Sequence, residues 1–130
     1  MVQLTIVNSA GHLDKALEAG FYACPARNGP FKHRQSDFIG LYSQRGVRHL
    51  SRIRAVVDVH SNGTEELYWS NREPAENAAL CKKARESRPR WPYSDRALRV
   101  FLCDGWIDTE YLKVSRGGMQ QPKRYHEFAR

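Results

Sequence analysis

The sequence predicts an α+β fold, a small and mostly antiparallel β-sheet or barrel with two helices at its edges. About seven short segments show the alternation, or the branched and aromatic content, of β-strands, whereas only two show helical features. The helices do not alternate regularly with the strands, which argues against an open parallel sheet. A length of 130 residues and a hydrophobic fraction of 41% predict a single domain over residues 1–130.

The first elements are a strand and a helix. Gln3–Val7 alternates weakly between apolar and polar residues and predicts the first strand. Asn8 or Ser9 can cap a helix from about Ala10 to Ala19, because both side chains accept hydrogen bonds from free helical N–H groups. Gly20 is suited to end this helix, since glycine adopts the left-handed conformation without steric cost.

The middle of the chain predicts most of the sheet. Phe21–Cys24 and Phe38–Tyr42 are short strands, and Val47–His60 alternates over a long run. Asn62-Gly63 predicts a hairpin turn, which returns the chain along Thr64–Trp69. One parity of the long run is apolar, with Val47, Ile53, Val57 and Val59. The other parity holds three arginines on the face opposite the core: Arg48, Arg52 and Arg54.

The last part predicts one more helix and the remaining strands. Pro74 suits a first helical position, so the second helix is expected from about Pro74 to Ser87. Leu98–Cys103 is expected to form a strand, and Trp106-Ile107 lead into Tyr111–Val114. A final short strand is expected over Tyr125–Phe128.

The charge of the chain favours a polyanionic partner. Lys and Arg number 21 against 14 Asp and Glu, which gives a net charge of +7 and a pI near 9.6. Neutralised phosphates release counterions, so a basic protein of this kind is expected to bind nucleic acid. The alternative is that the charge serves solubility alone.

The cations concentrate in four places rather than spreading evenly. These are the loop Arg27–Arg34, the arginine face of the long strand, the segment Lys82–Arg99 and the loop Arg116–Arg124. Trp91 lies within the third, where aromatic and cationic residues together suit base stacking beside a phosphate track. The alternative for Trp91 is a place in the core. The predicted nucleic-acid contacts are Arg27, Lys32, Arg34, Arg48, Arg52, Arg54, Trp91, Arg116, Gln120, Gln121, Lys123 and Arg124.

The tail loop has the residue types of a base-recognition loop. Gly117 and Gly118 permit close backbone approach, and the amides of Gln120 and Gln121 can make bidentate contacts with a base edge. Two cations at its end, Lys123 and Arg124, can hold phosphates. An ordinary surface connection is the alternative.

No set of catalytic or metal-binding residues is recognisable, and no cofactor is expected. Asp104, Asp108, Glu110 and Lys113 resemble a nuclease core only faintly, because Glu110 and Lys113 would lie on opposite faces of a strand. A metal-free ribonuclease stays open, since a few His, Arg and Tyr side chains suffice for acid–base chemistry. Arg45, Arg48 and His49, which are close in the sequence, are its candidates, although any exposed turn of a basic protein would have such a group.

The cysteines and the apolar segments indicate a cytoplasmic protein. Cys24, Cys81 and Cys103 are odd in number and widely spaced, which argues against a disulfide framework or a zinc site. We expect reduced, mostly buried thiols. The first residues lack the basic start and long apolar stretch of a signal peptide, and no segment is long enough to cross a membrane.

Five segments resemble those of small PUA-like domains of the EVE and ASCH type. Three lie in the first half of the chain: Phe21–Arg27, Phe38–Tyr42 and Val47–Leu50. The other two are Arg99–Cys103, and Arg124–Phe128 after the glycine loop. The resemblance implies a compact β-barrel with peripheral helices and a link to recognition of RNA or modified DNA.

What the resemblance implies for function is a binding module that accepts a flipped or modified base. Such domains occur in bacterial defence settings, usually fused to a nuclease, and this chain has no such effector, so a separate effector protein is an expected partner. Two other functions stay open. One is a small nuclease or toxin-like RNase, and the other is an inhibitor-type module whose basic face docks on an acidic protein.

Overall fold

The computed structural model describes residues 2–9, 11–26, 34–43, 46–91, 96–109 and 123–128. Its elements in chain order are β1 (Val2–Asn8), α1 (Leu13–Ala19), β2 (Phe21–Pro25), β3 (Phe38–Ser43), β4 (Gly46–Val59), β5 (Glu65–Ser70), α2 (Asn77–Ser87), β6 (Leu98–Cys103), β7 (Ile107–Asp108) and β8 (Lys123–Phe128). Single turns of 3₁₀-helix precede and follow α2, at Pro74–Glu76 and Arg88–Arg90.

The strands form one mixed sheet that is mostly antiparallel. They pair in the order β2-β6-β4-β3-β1-β8, and β5 and β7 also pair with β4. Among the described ladders only β1–β3 is parallel, because α1 and β2 lie between these two strands in the chain. The predicted α+β fold, with a mostly antiparallel sheet and two helices, is therefore confirmed.

Closure of the sheet into a barrel is not confirmed. The ladders lead from β2 at one end to β8 at the other, and within the described ranges no pairing joins these two strands. Six strands separated by about 4.8 Å each leave the ends of such a series far apart unless the sheet curls back on itself. The architecture is accordingly an open sheet over the part of the chain that is described.

Strand β4 organises the sheet because each half of it has two neighbours. Residues 46–52 pair with β3, and His49 and Leu50 also pair with β7 on the opposite edge. Residues 55–59 lie between β5 and β6. The ladder with β6 shifts register between Ile53 and Ala55, which places Arg54 at a bulge.

The core lies on both faces of the central strands. Val56 and Val57 are neighbours in β4 and are both fully buried, so the sheet is covered on each side at this point. Leu80 and Ala84 of α2 and Ala16 of α1 complete the main hydrophobic cluster. Both helices thus pack at the periphery of the sheet, as predicted. Of the helices described, none is long and apolar enough to cross a membrane.

Helix α1 starts later than predicted. It begins at Leu13 instead of near residue 10, and neither Asn8 nor Ser9 caps it. Ser9 is held by β3 instead, because its hydroxyl and its N–H both donate to the carbonyl of Tyr42, over 3.1 and 2.9 Å. The predicted end is confirmed, since Gly20 has a φ of 82°.

Candidate nucleic-acid interface

The three arginines of β4, here called the arginine strip, are Arg48, Arg52 and Arg54. All three share one parity of the strand, whereas the predicted apolar parity (Val47, Ile53, Val57 and Val59) is almost fully buried. Arg48 and Arg52 are exposed, and the side chain of Arg54 is 30% exposed. Consecutive members of one face lie about 7 Å apart, so the strip spans about 20 Å between its ends.

Each strip residue is oriented by a different neighbour. Arg48 donates to the carbonyl of Ser43 over 3.3 Å. The guanidinium of Arg52 lies 5.0 Å from the ring centroid of Phe38, its cross-strand partner on β3. Neither forms an ion pair with any residue described. Their charges are therefore not neutralised within these parts of the chain.

Arg54 belongs to an ion-pair cluster around Asp104. Its Nη2 donates to the carbonyl of Cys103 over 3.2 Å, and its Nε lies 3.5 Å from Asp104 Oδ1 without hydrogen-bond geometry. Arg72 approaches the same carboxylate from the end of β5, with Nη2 at 3.4 Å from both oxygens. The main chain holds Asp104 in place, because its N–H donates to the carbonyl of Arg52 and its carbonyl accepts from Ser51 Oγ over 2.6 Å.

A cleft of about 480 Å³ continues from Arg54 toward α2. We call it the basic cleft. Two further cations line it, Lys83 from α2 and Arg90 from the turn that follows, together with the Asp104 carboxylate. Arg90 is placed by a 3.1 Å hydrogen bond from its Nη2 to the carbonyl of Ala19. The other lining residues are Ala19, Gly20, Phe21, Ser87, Leu102, Cys103 and Gly105.

Most of this cleft is not predicted from the sequence. Lys83 and Arg90 lie in the broad cationic segment Lys82–Arg99 but are not among the predicted contacts, and Arg72 lies outside the four cationic places. The spacing of Lys83, Ser87 and Arg90 (i, i+4, i+7) is that of residues on one face of a helix, and this signal could have identified them. The place of Arg72 depends on where β5 and β6 end, which no local pattern gives.

The prediction that Trp91 stacks on bases is wrong. Its side chain is only 3% exposed and packs against the rings of His12, Phe21 and Tyr22, with centroids 5.6, 5.3 and 5.8 Å away. The 3₁₀ turn Arg88–Arg90 turns the chain after α2 and directs the indole inward. The alternative place for Trp91, in the core, is correct.

Two arginines of the same cationic segment also face inward. Arg99 is 4% exposed and forms a bidentate pair with Asp58, at 2.8 Å from Nε and 3.0 Å from Nη2. Tyr68 covers it, with the guanidinium carbon 3.8 Å from the ring centroid. Burial alone would lower the pKa of Arg99, but the hydrogen bonds and charge of Asp58 raise it overall. Arg88 is buried as well and donates to the carbonyl of Arg96.

The predicted contacts in the two loops are mostly outside the described residues. Arg27, Lys32, Arg116, Gln120 and Gln121 fall there, so the hypothesis that these loops flank a groove stays a prediction. Arg34 is described and exposed. The last two predicted contacts, Lys123 and Arg124, lie in a strand and not in the predicted loop, because β8 starts at Lys123 and pairs with β1.

A histidine–carboxylate pair lies near the arginine strip. His49 Nδ1 is 3.0 Å from Asp108 Oδ1, and the β4–β7 ladder sets these residues opposite each other. Asp104 and Asp108 bind different partners among the residues described, and Glu110 and Lys113, the other members of the faint resemblance to a nuclease core, lie outside those residues. Across the described ranges no cluster of three His, Cys, Asp or Glu side chains is arranged to hold a metal ion.

The three cysteines are free thiols, and two of them are buried. Cys24 and Cys103 are almost fully buried, whereas Cys81 on α2 is partly exposed. Burial raises the pKa of the Cys103 thiol to about 12 and also raises the pKa of Cys81. The thiols of Cys81 and Cys103 are therefore protonated at neutral pH, which does not favour nucleophilic chemistry.

The fold is similar to that of a solved ASCH domain. A serine-to-alanine variant of ZmASCH from Zymomonas mobilis aligns with 97% of this chain and 88% of its own, with a TM-score of 0.51 and 12% identity. The chain has an ASCH-type, PUA-like fold. ZmASCH without that substitution aligns with a TM-score of 0.48 and 13% identity, covering 97% of this chain and 87% of its own. No family model matches the sequence, and no curated protein matches it either.

Proposed function

We propose that this protein is a nucleic-acid-binding module whose arginine strip and basic cleft contact the phosphate backbone. The observation that supports the proposal most is the continuity of positive charge from the exposed Arg48 and Arg52, through Arg54, to Lys83 and Arg90. Asp104 is the one carboxylate among the cleft-lining residues described. The PUA-like resemblance of the sequence points to the same class of partner.

Unpaired arginines on a strand suit phosphate contacts. Arg48 and Arg52 have no carboxylate partner among the residues described, so a phosphate can approach them without breaking an ion pair. Each phosphate contact that releases a counterion steepens the salt dependence of binding. Arg52 also rests on the ring of Phe38, which limits the side-chain entropy that its fixation would cost.

The test is fluorescence anisotropy with labelled single-stranded RNA, single-stranded DNA and duplexes, over a series of salt concentrations. For single strands, we expect the double variant Arg48→Gln/Arg52→Gln to reduce the slope of log K against log salt by about 1.4, because each lost contact contributes about 0.7. The control is Lys82→Gln/Arg85→Gln, which removes the same net charge from exposed positions on α2 that do not line the cleft; of these two residues, Arg85 also pairs with Glu65.

Two results would contradict the proposal. One is equal weakening by the two double variants, which would show that only the net charge matters. The other is a lack of binding to every nucleic acid at low salt, which would favour the inhibitor-type module that docks on an acidic protein.

The same proposal extends to what is recognised. From the PUA-like resemblance we infer that a flipped or modified base is held between the segments 27–34 and 115–122, in a defence or RNA-modification setting and with a separate effector protein. Competition between oligonucleotides that differ in a single modified base tests this, and equal affinities would contradict it. A cytoplasmic location also stays a prediction.

A second candidate function, a metal-free ribonuclease, is favoured by the His49–Asp108 pair. A carboxylate on Nδ1 orients the imidazole, which leaves Nε2 to remove the proton of a 2′-hydroxyl as that oxygen attacks phosphorus. The bond from phosphorus to the 5′-oxygen then breaks, the 5′-oxygen takes a proton from water, and a 2′,3′-cyclic phosphate remains. Degradation of RNA but not DNA in EDTA, lost in His49→Ala, would support it. Intact RNA after incubation with the native protein would exclude it.

A further inference from the structure

The floor and rim of the basic cleft differ in chemistry. Phe21, Leu102 and Cys103 line it and are each 5% exposed or less, so the cleft ends on the hydrophobic core. The rim carries the charged groups. A recess of about 480 Å³ with a closed floor falls within the size range of small-ligand sites, which is about 300–1,000 Å³.

The net positive charge at the rim is larger than the single negative charge of an internal phosphodiester. Arg54, Lys83 and Arg90 supply three positive charges against the single carboxylate of Asp104, which Arg72 also approaches from outside the lining. Within the described ranges, at least two positive charges are therefore uncompensated. An internal phosphodiester has one negative charge, whereas a phosphate monoester has a second pKa near 6 and has close to two at pH 7.

Donors of the cleft are also available. Arg90 uses one of its five N–H donors on Ala19, and the exposed Lys83 forms no ion pair with any residue described. Gly20 and Gly105 line the cleft without side chains, and a Cβ built on either would meet nothing within 4 Å. A phosphate can therefore approach without displacing a neighbouring side chain.

We propose that the basic cleft binds a phosphate monoester at the end of a nucleic-acid strand, or on a free nucleotide, through Lys83, Arg90 and Arg54. This inference rests on the proposed function, in which the arginine strip binds a nucleic-acid strand. The cleft then binds the phosphate at the end of that strand. A strand end fits a recess with a closed floor, whereas an internal phosphate needs room for the chain on both sides. Lys83 and Arg90 are exposed and are the residues to test, because Arg54 also supports the β6 terminus.

The experiment compares RNA 12-mers of one sequence that carry a 5′-phosphate, a 3′-phosphate or only hydroxyl ends, at one salt concentration. We expect one phosphorylated form to bind about tenfold more tightly, the lower bound for hydrogen bonds to a charged group. Lys83→Gln and Arg90→Gln should each remove most of that preference. Lys82→Gln is the matched control, because Lys82 is the next residue of α2, is equally exposed and does not line the cleft.

The ionisation of the phosphate gives a second measurement. The preference for the phosphorylated strand should decline as the pH falls through about 6, since the monoester then loses its second charge. Adenosine monophosphate, with adenosine as its control, tests whether the free nucleotide competes for the same cleft. Competition by adenosine monophosphate that is lost in the Lys83→Gln variant would support the inference.

The outcomes separate this inference from the proposed function. Equal affinity for the three 12-mers, or equal effects of Lys82→Gln and Lys83→Gln, would overturn the inference and leave general nucleic-acid binding intact. Binding of adenosine monophosphate without binding of any 12-mer would support the cleft site for free nucleotides and overturn the proposed function. No binding of any probe would overturn both.

Discussion

Replacing Asp58 by Asn tests whether the pair with Arg99 is a buried ion pair. The variant keeps the shape of the side chain but leaves the Arg99 guanidinium, which is 4% exposed, without its counter-charge. Breaking a buried pair costs about 3–5 kcal/mol. Because the Asp58 side chain is still 15% exposed, we expect a loss near the lower end, about 3 kcal/mol. For a chain of 130 residues this lowers Tm by roughly 10 °C.

The assay is urea unfolding followed by far-UV circular dichroism, with thermal melts in parallel. Arg85→Gln is the control, since it breaks the exposed pair with Glu65 and should cost less than about 1 kcal/mol. The double variant Asp58→Leu/Arg99→Met should recover most of the lost stability, because two apolar side chains replace the buried pair without leaving a charge. A loss below about 1 kcal/mol for Asp58→Asn would refute the reasoning, since it would mean that water screens the pair.

Three further predictions concern buried residues. Trp91→Ala should lower the free energy of unfolding by about 3–5 kcal/mol and leave the salt slope of nucleic-acid binding unchanged. A reduced salt slope in the folded variant would instead support base stacking by Trp91. With iodoacetamide at pH 8, Cys81 should react first and Cys24 and Cys103 only after unfolding, so early labelling of Cys103, mapped by mass spectrometry, would contradict its burial. Because the Cys103 thiol ionises at about 12 in the folded protein and near 8.5 when unfolded, stability should decline above about pH 9, and Cys103→Ala should reduce that decline.

Local patterns predicted the parts of the fold that local interactions determine. Asn62-Gly63 forms the expected hairpin turn, where the Asn62 side chain accepts from the N–H of Thr64 over 3.0 Å and Gly63 has a φ of 88°. The alternation in β4 also predicted that its arginines lie on the face opposite the core, because successive side chains of a strand point to opposite faces. Neither feature needs knowledge of a distant segment.

The roles of single charged residues depended on register, which the sequence does not show. Arg99 was grouped with surface cations, yet the β4–β6 ladder sets it opposite Asp58, 41 residues away. Ser9 was considered as a cap, but the parallel pairing of β1 with β3 brings it to Tyr42. A pattern limited to neighbours in the chain gives no access to such pairs.

The contrast between Arg99 and Arg54 explains why the basic cleft suits a ligand and the core does not. Arg99 is 4% exposed and its charge is paired, because both oxygens of Asp58 accept from it at 2.8 and 3.0 Å. Arg54 shares Asp104 with Arg72 at 3.4–3.5 Å, and its side chain is 30% exposed. Recruiting Arg99 to a phosphate would cost the several kcal/mol of a broken buried pair. Arg54 can add a phosphate contact while Arg72 continues to neutralise Asp104, so a strand end can enter the cleft without rearrangement of the core.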